Sequence, residues 1–146
     1  FNSVNVEGWA LYSEAEMKPF FPLDGQLIGL QHRLMRAARA FLDPMLNLGL
    51  IQPDEARELL MKEVCLSPAM AKQEVDRYTF RSPGQATSYF VGYQALMETR
   101  ERAELALKKR FDRQRFNDFV LGQGMLPPAL LQRAVMETFV PEELAR

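Results

Sequence analysis

Apolar residues recur at steps of three and four positions along nearly the whole chain. This spacing places apolar side chains on one face of an α-helix. Alternation of apolar and polar residues, which marks a half-buried strand, is not evident, and the closest run, SYFVGY, continues directly into a helical pattern. The pattern predicts an all-α fold of about seven helices in a bundle-like array.

Segments that contain proline and glycine divide the pattern into separate helices. KPFFPLDG ends the first predicted helix, because a proline removes a backbone hydrogen bond and clashes with the preceding turn. NLGLIQPDE ends the second helix and starts the third, with Gly49 expected after the helix end and Pro53 at the first helical position. Helices are expected at about residues 4–17, 24–48, 53–65, 67–78, 81–111, 112–124 and 126–144.

The two longest predicted helices carry clear apolar stripes, which we expect to face the core. In the helix at 24–48 the stripe consists of Leu27, Leu30, Leu34, Ala37 or Ala38, Phe41 and Met45. In the helix at 81–111 it consists of Ala86, Tyr89 or Phe90, Tyr93, Leu96 or Met97, Ala103 and Leu107.

Two single residues add structural expectations. Gly92 lies inside the predicted helix at 81–111, where glycine costs about 1 kcal/mol relative to alanine. We therefore expect another element or a ligand to approach the backbone at Gly92 closely. Cys65 is the one cysteine and lies in the apolar run EVCLS, so we expect a buried thiol.

Composition limits the class of protein. The 146 residues, 47% of them hydrophobic, suffice for one helical domain over residues 1–146. A net charge of −1 argues against nucleic-acid binding, which needs a basic surplus, and no apolar run reaches the ~18 residues of a membrane span. The chain starts without methionine or a basic leader, so we expect a fragment of a larger chain that self-associates through the surface left uncovered. Both a cytoplasmic and an exported location remain open.

Two acidic residues near the start are the first candidates for chemistry. Glu7 and Glu14 are seven residues apart and therefore share one helix face. Either both are solvated acids near a helix N-terminus, or one of them is a metal ligand or a general acid or base. Spacing alone leaves both interpretations open.

A second polar face consists of His32, Arg36, Arg39 and Asp43. It is either a solvated stripe, in which Arg39 pairs with Asp43 at i,i+4, or an anion-binding wall with arginines placed for bidentate contact to a carboxylate. His32 is the only histidine, and one histidine cannot form a zinc site.

The segment SPGQATSYFVGYQ holds the remaining candidates. Ser82 and Gln85 match a capping box, which gives Gln85 a structural role. Tyr89 and Tyr93 share one helix face, where a tyrosine either needs a hydroxyl partner or donates a hydrogen bond to a developing oxyanion. The chain has no H-E-x-x-H, G-x-S-x-G, Walker or C-x-x-C signature, so these residues alone do not make an enzyme.

Several segments resemble the C-terminal part of a bacterial family, domain-of-unknown-function family 885. The resemblance covers nearly the whole chain, and the first and fourth of the following motifs are the specific ones in combination. The motifs are EGWALYSE (Glu7–Glu14), RAARAFLD (Arg36–Asp43), EVDRY (Glu74–Tyr78), PGQATSYFVG (Pro83–Gly92) and FDRQRFNDFVLGQGMLP (Phe111–Pro127).

The resemblance implies a helical zinc metallopeptidase of the gluzincin kind, with an upstream helix that supplies two histidines and a general-base glutamate. Glu7 would then be the third zinc ligand and Glu14 its hydrogen-bonding neighbour. From residue type we add Tyr89 and Tyr93 as catalytic candidates. The substrate-binding candidates are Arg36, Arg39, Arg77 and Gln85.

On this interpretation the full-length protein is a carboxypeptidase or oligopeptidase that binds zinc and a peptide substrate. The 146 residues alone would be inactive and would not hold zinc tightly. Two positions depart from the family, since Asn47 and Asn117 stand where members often have histidine. The alternative is therefore a non-catalytic helical binding or lipoprotein-type module that has lost its metal site.

Overall fold

The structure is a computed structural model that describes residues 2–146. Its α-helices are α1 (Ser3–Met17), α2 (Leu23–Asn47), α3 (Pro53–Lys62), α4 (Pro68–Asp76), α5 (Thr87–Leu107), α6 (Arg113–Gly122), α7 (Pro128–Ala134) and α8 (Val140–Leu144). A π-helical segment, Arg77–Arg81, extends α4, and another, Val135–Phe139, joins α7 to α8. These residues therefore form seven continuous helices and no strand, which confirms the predicted all-α fold.

Two apolar clusters form the core. Helices α1, α5, α6 and the α7–α8 helix bury one cluster, which includes Leu11, Leu96, Phe116 and Val135. Helices α2, α3 and α4 bury the other, which includes Leu42 and Leu60. Helix α5 packs against both α1 and α2. None of the helices between residues 2 and 146 has the length and apolar character needed to cross a bilayer.

Helices α1 and α5 cross at a point where two glycines meet. A Cβ on Gly92 would lie 1.9 Å from the carbonyl oxygen of Val4 and 2.8 Å from the Cα of Gly8. Only glycine leaves room for two backbones at this distance. The expected close approach to Gly92 is confirmed, and this crossing sets α1 beside the start of α5.

The predicted core stripe of α2 is wrong at four of its six positions, whereas Ala38 is buried and Met45 is half-buried. Leu27, Leu30, Leu34 and Phe41 are all exposed, with Leu27 66% and Leu34 50% accessible. The buried residues of this helix are instead Met35, Ala38, Arg39, Leu42 and Asp43. The helix is therefore turned so that part of its polar face lies inside.

The stripe of α5 behaves as expected. Its predicted positions Ala86, Tyr93, Leu96, Ala103 and Leu107 are all buried. The helix itself starts later than predicted, at Thr87, because residues 82–86 form a turn.

The expectation of a buried thiol at Cys65 is wrong, because this cysteine is exposed. Cys65 has a φ of 58° and follows the end of α3. The amide of Leu66 donates to the carbonyl of Leu60 at 3.1 Å, which ties the residue after Cys65 back to the last turn of α3. This geometry turns Val64 and Leu66 into the core and Cys65 outward.

Candidate functional site

Three arginines surround the ring of Tyr89. The guanidinium carbon of Arg39 lies 4.2 Å from the ring centroid, that of Arg77 5.7 Å and that of Arg36 6.0 Å. At these distances the negative face of the ring attracts the cations. We call Arg36, Arg39, Arg77 and Tyr89 the arginine–tyrosine cluster. The cluster brings together residues from three predicted helices, those at 24–48, 67–78 (which contains EVDRY) and 81–111.

Glu74 supplies the negative charge on the inner side of this cluster. Its Oε2 lies 3.3 Å from Nη1 of Arg39, its Oε1 lies 3.8 Å from Nη1 of Arg77, and the hydroxyl of Tyr78 donates to Oε2 at 2.8 Å. Burial, and then the charge of Glu74, raises the pKa of Tyr78 far above its ordinary value, so this hydroxyl remains a donor. The predicted pairing of Arg39 with Asp43 is wrong, because Arg39 pairs with Glu74.

Asp43 instead fixes the turn before α5. Its fully buried carboxylate accepts the backbone N–H of Gly84 at 2.7 Å, the backbone N–H of Ala86 at 2.9 Å and the amide of Asn47 at 2.9 Å. The same Asn47 amide also donates to the carbonyl oxygen of Tyr78 at 3.2 Å. Asp43 and Asn47 thus connect α2 to the turn and to the end of α4, which fixes the residues around Tyr89.

Gln85 connects Glu7 to the cluster. Its Nε2 donates to Oε1 of Glu7 at 3.1 Å, and its Oε1 accepts a hydrogen bond from Nη2 of Arg77. The same Arg77 nitrogen also contacts the hydroxyl oxygen of Tyr89 at 3.5 Å. The side chain of Gln85 is therefore occupied by these contacts and does not form the predicted capping box with Ser82. Glu7 itself is half-buried.

Glu14 lies at the outer side of the cluster. Its Oε1 lies 2.8 Å from Nη2 of Arg36. The Glu14 side chain is 45% exposed, whereas that of Arg36 is 14% exposed. Burial lowers the pKa of Arg36 from its ordinary value, although the charge of Glu14 acts in the opposite direction. The structure thus pairs Glu14 with Arg36, and it places Glu7 with Gln85.

The other candidates lie outside the cluster. Tyr93 is buried in the α1–α5 core, with Arg33 5.2 Å from its ring centroid. His32 lines a surface pocket between α1 and α2. Asn117 accepts a hydrogen bond from the hydroxyl of Tyr12 at 2.9 Å, which ties α6 to α1.

The zinc-ligand role that the sequence suggests for Glu7 requires further ligands beside it. Zinc in proteins takes three or four protein ligands, and residues 2–146 contain no group of three histidine, cysteine, aspartate or glutamate side chains close enough to hold a metal. Glu7 offers one ligand of a suitable type. One of its oxygens accepts the Gln85 amide, and the other accepts no hydrogen bond from residues 2–146.

Glu74 is not among the residues that the sequence predicts for the site, although it lies in the EVDRY segment. In that segment Glu74, Arg77 and Tyr78 stand at i, i+3 and i+4, the spacing at which helical side chains meet. This spacing predicts the contacts of Glu74 with Arg77 and Tyr78 within the helix. The contact between Glu74 and Arg39 spans 35 positions and has no local signal.

No curated protein and no solved structure matches the chain. A family model described as "Bacterial protein of unknown function (DUF885)" matches residues 1–135. The match covers the helices that carry Glu7, the arginine–tyrosine cluster and Asp43. The chain belongs to the DUF885 family.

Proposed function

We propose that this chain is the part of a zinc-dependent peptidase, of carboxypeptidase or oligopeptidase type, that supplies one metal ligand and the substrate-binding residues. The observation that supports the proposal is the link from Glu7 through Gln85 to Arg77 and Tyr89. A carboxylate, a hydroxyl and several guanidinium groups therefore lie side by side at the start of α5. Peptide hydrolysis uses this combination of groups to bind substrate and to stabilise an oxyanion.

Glu7 has the surroundings that a metal-binding carboxylate requires. Such ligands are usually oriented by a hydrogen bond from a neighbouring side chain, and Gln85 provides one to Glu7. The proposal requires that the remaining zinc ligands come from residues that are not among these 146. A test of the proposal therefore has to use the full-length protein.

Tyr89 is the residue to which we assign the hydrogen bond to a reacting carbonyl oxygen. Its hydroxyl oxygen faces a donor, Arg77, so its own proton is available to donate. A fixed donor of this kind stabilises negative charge as it develops on the oxygen. Tyr93 receives no reacting role in the proposal, because it lies one turn away in the core.

One observation favours a second candidate function, a binding module that needs no metal. Residues 2–146 lack a group that could hold a metal, whereas the arginines and Tyr89 are well connected without one. Such a module would bind an anionic ligand at the same cluster and would not hydrolyse it.

The experiment is metal analysis and peptide hydrolysis with the full-length protein and two variants. Glu7→Gln keeps the shape of the side chain and removes its charge. We expect this variant to lose zinc and at least about 100-fold in activity, because the ligand itself is removed. The matched control is Glu101→Gln, which changes an exposed glutamate on α5 and should leave both quantities unchanged.

The outcomes separate the two candidates. Zinc content and hydrolysis that survive Glu7→Gln would reject the ligand assignment. A wild-type protein that binds peptides, contains no zinc and hydrolyses nothing would support the binding module instead.

A further inference from the structure

Arg36 has more hydrogen-bond donors than partners. A guanidinium group carries five N–H donors. In Arg36 only Nη2 is bonded, to Glu14, while Nε and Nη1 are buried and have no partner in residues 2–146. Nε of Arg39, whose side chain is 4% exposed, is likewise buried without a partner in this part of the chain. Buried donors without an acceptor cost free energy. Glu14 uses only Oε1, so a carboxylate that bound Arg36 with both oxygens would recover part of this cost.

The charges at the cluster also leave a place for an anion. On the inner side one carboxylate, Glu74, faces two guanidinium groups, those of Arg39 and Arg77. On the outer side the carboxylate at Arg36 belongs to Glu14, whose side chain is 45% exposed. The Glu14 end of this pair is open to water and salt, which screen its charge, whereas the Arg36 side chain is 14% exposed. Another carboxylate can therefore replace Glu14 at little cost.

A pocket of about 200 Å³ adjoins this outer position. It lies between the end of α1 and the first half of α2, and Glu14 forms one wall. Phe21 and Ile28 provide apolar surface, while Lys18 and Arg33 add positive charge. A cavity of roughly 150 Å³ accommodates a benzene ring, so this pocket has room for a side chain of that size.

We propose that Arg36 binds the free carboxylate of a ligand in the position that Glu14 occupies in this structure, with the apolar group beside that carboxylate in the α1–α2 pocket. The ligand class is therefore a peptide or acyl amino acid with a free C-terminal carboxylate and a large apolar last residue. This inference rests on the proposed function in that it names the substrate class of the same site. Glu14 acts as the internal carboxylate that holds Arg36 in place until the ligand arrives.

The test is binding of a matched pair of probes to the full-length protein. N-acetyl-L-phenylalanine has the carboxylate and a phenyl group, whereas N-acetyl-L-phenylalanine amide lacks the charge and keeps the rest. We expect the acid to shift the Nε–H NMR signals of Arg36 and Arg39 in a saturable way, and we expect no such shift with the amide. Equal effects of the two probes, or no effect of the acid, would overturn the proposal.

Two substitutions should change the affinity in opposite directions. Glu14→Gln removes the competing internal carboxylate, so the acid should bind about two- to fivefold more tightly. Arg36→Gln removes a charge-assisted hydrogen bond, so binding should weaken about tenfold or more. The control is Arg102→Gln, which breaks an arginine–glutamate pair of similar type on the exposed side of α5 and should leave the affinity unchanged.

Glu14→Gln is the decisive variant, because Glu14 is exposed and its loss does not disturb the core. Unchanged or weaker binding of the acid to this variant would overturn the proposal. The result is independent of zinc and of hydrolysis. Acid-selective binding in a protein without zinc or peptidase activity would retain this inference and reject the proposed function, and hydrolysis without acid-selective binding would do the reverse.

Discussion

Replacing Gly92 by alanine tests the contact that brings Glu7 to the arginine–tyrosine cluster. The new Cβ would lie 1.9 Å from the carbonyl oxygen of Val4 and 2.8 Å from the Cα of Gly8. Ordinary carbon–oxygen contacts are about 3.3 Å or longer. The atoms in the way belong to backbone rather than to a flexible side chain, so α1 and α5 must separate by more than about 1 Å.

The size of the effect follows from two opposing contributions. Overpacking of a tight contact typically costs 1–3 kcal/mol, and we expect a clash between two backbones to cost about 3 kcal/mol, at the upper end of this range. Alanine within a helix recovers about 1 kcal/mol relative to glycine. We therefore expect Gly92→Ala to lower the free energy of unfolding by about 2 kcal/mol. Gly29→Ala is the matched control, since Gly29 also lies within a long helix and nothing stands within 4 Å of its added Cβ.

The assay is urea unfolding monitored by far-UV circular dichroism. The slope of the unfolding free energy against urea concentration is compared between variants. Gly29→Ala should stabilise the protein by up to about 1 kcal/mol, so the two alanine variants should differ by about 3 kcal/mol. The separation of the helices should also move Glu7 away from Gln85. A Gly92→Ala variant as stable as Gly29→Ala, with an unchanged slope, would refute the close-contact reasoning.

Three further predictions concern the turn, an ion pair and the exposed face of α2. Asp43→Asn weakens the acceptor for the backbone amides of Gly84 and Ala86, so it should destabilise the protein by about 2–3 kcal/mol in urea unfolding and speed hydrogen exchange of those amides. Hydrogen bonds from Arg115 lower the pKa of Glu143 from its ordinary value of 4.5. Because the folded-state pKa is the lower one, this pair stabilises above about pH 4.5, and the contribution is lost as the pH falls through the folded pKa. Glu143→Gln should therefore flatten the acid limb of the stability curve, and an unchanged limb would contradict the assignment. Leu27→Lys should reduce self-association in sedimentation velocity, whereas Leu105→Lys, at an exposed leucine of α5, should not.

The sequence predicts α5 well and the orientation of α2 poorly, for one physical reason. Periodicity shows which residues share a face, and it does not show which face meets the rest of the protein. In α5 the apolar residues meet partners on two sides, so the simple rule holds. In α2 the guanidinium of Arg39 lies inside because Tyr89 and Glu74, far away in sequence, provide a ring and a carboxylate for it.

The candidate site shows the same limit. Residue type and spacing identified the arginines, Gln85 and Tyr89, and local rules identified Gly92 as a point of close approach. The role of Asp43 was missed, because its partners are backbone amides some 40 positions away, in a turn that the pattern assigned to a helix. Local rules assigned Gln85 a capping role with Ser82, whereas the fold uses its side chain to join Glu7 and Arg77.

The orientation of α2 ties the candidate site to the exposed apolar surface. A rotation that buried Leu27 and Leu34 would gain roughly 1.5–3 kcal/mol for each leucine. The same rotation would withdraw Arg36 and Arg39 from Tyr89 and Asp43 from the turn. The rotation would also take Met35, Ala38 and Leu42 out of the core, which offsets the gain from the leucines. The buried apolar residues of α2, the polar contacts of Asp43 and the stacking on Tyr89 together hold the observed orientation, and the exposed leucines on the opposite face are its consequence.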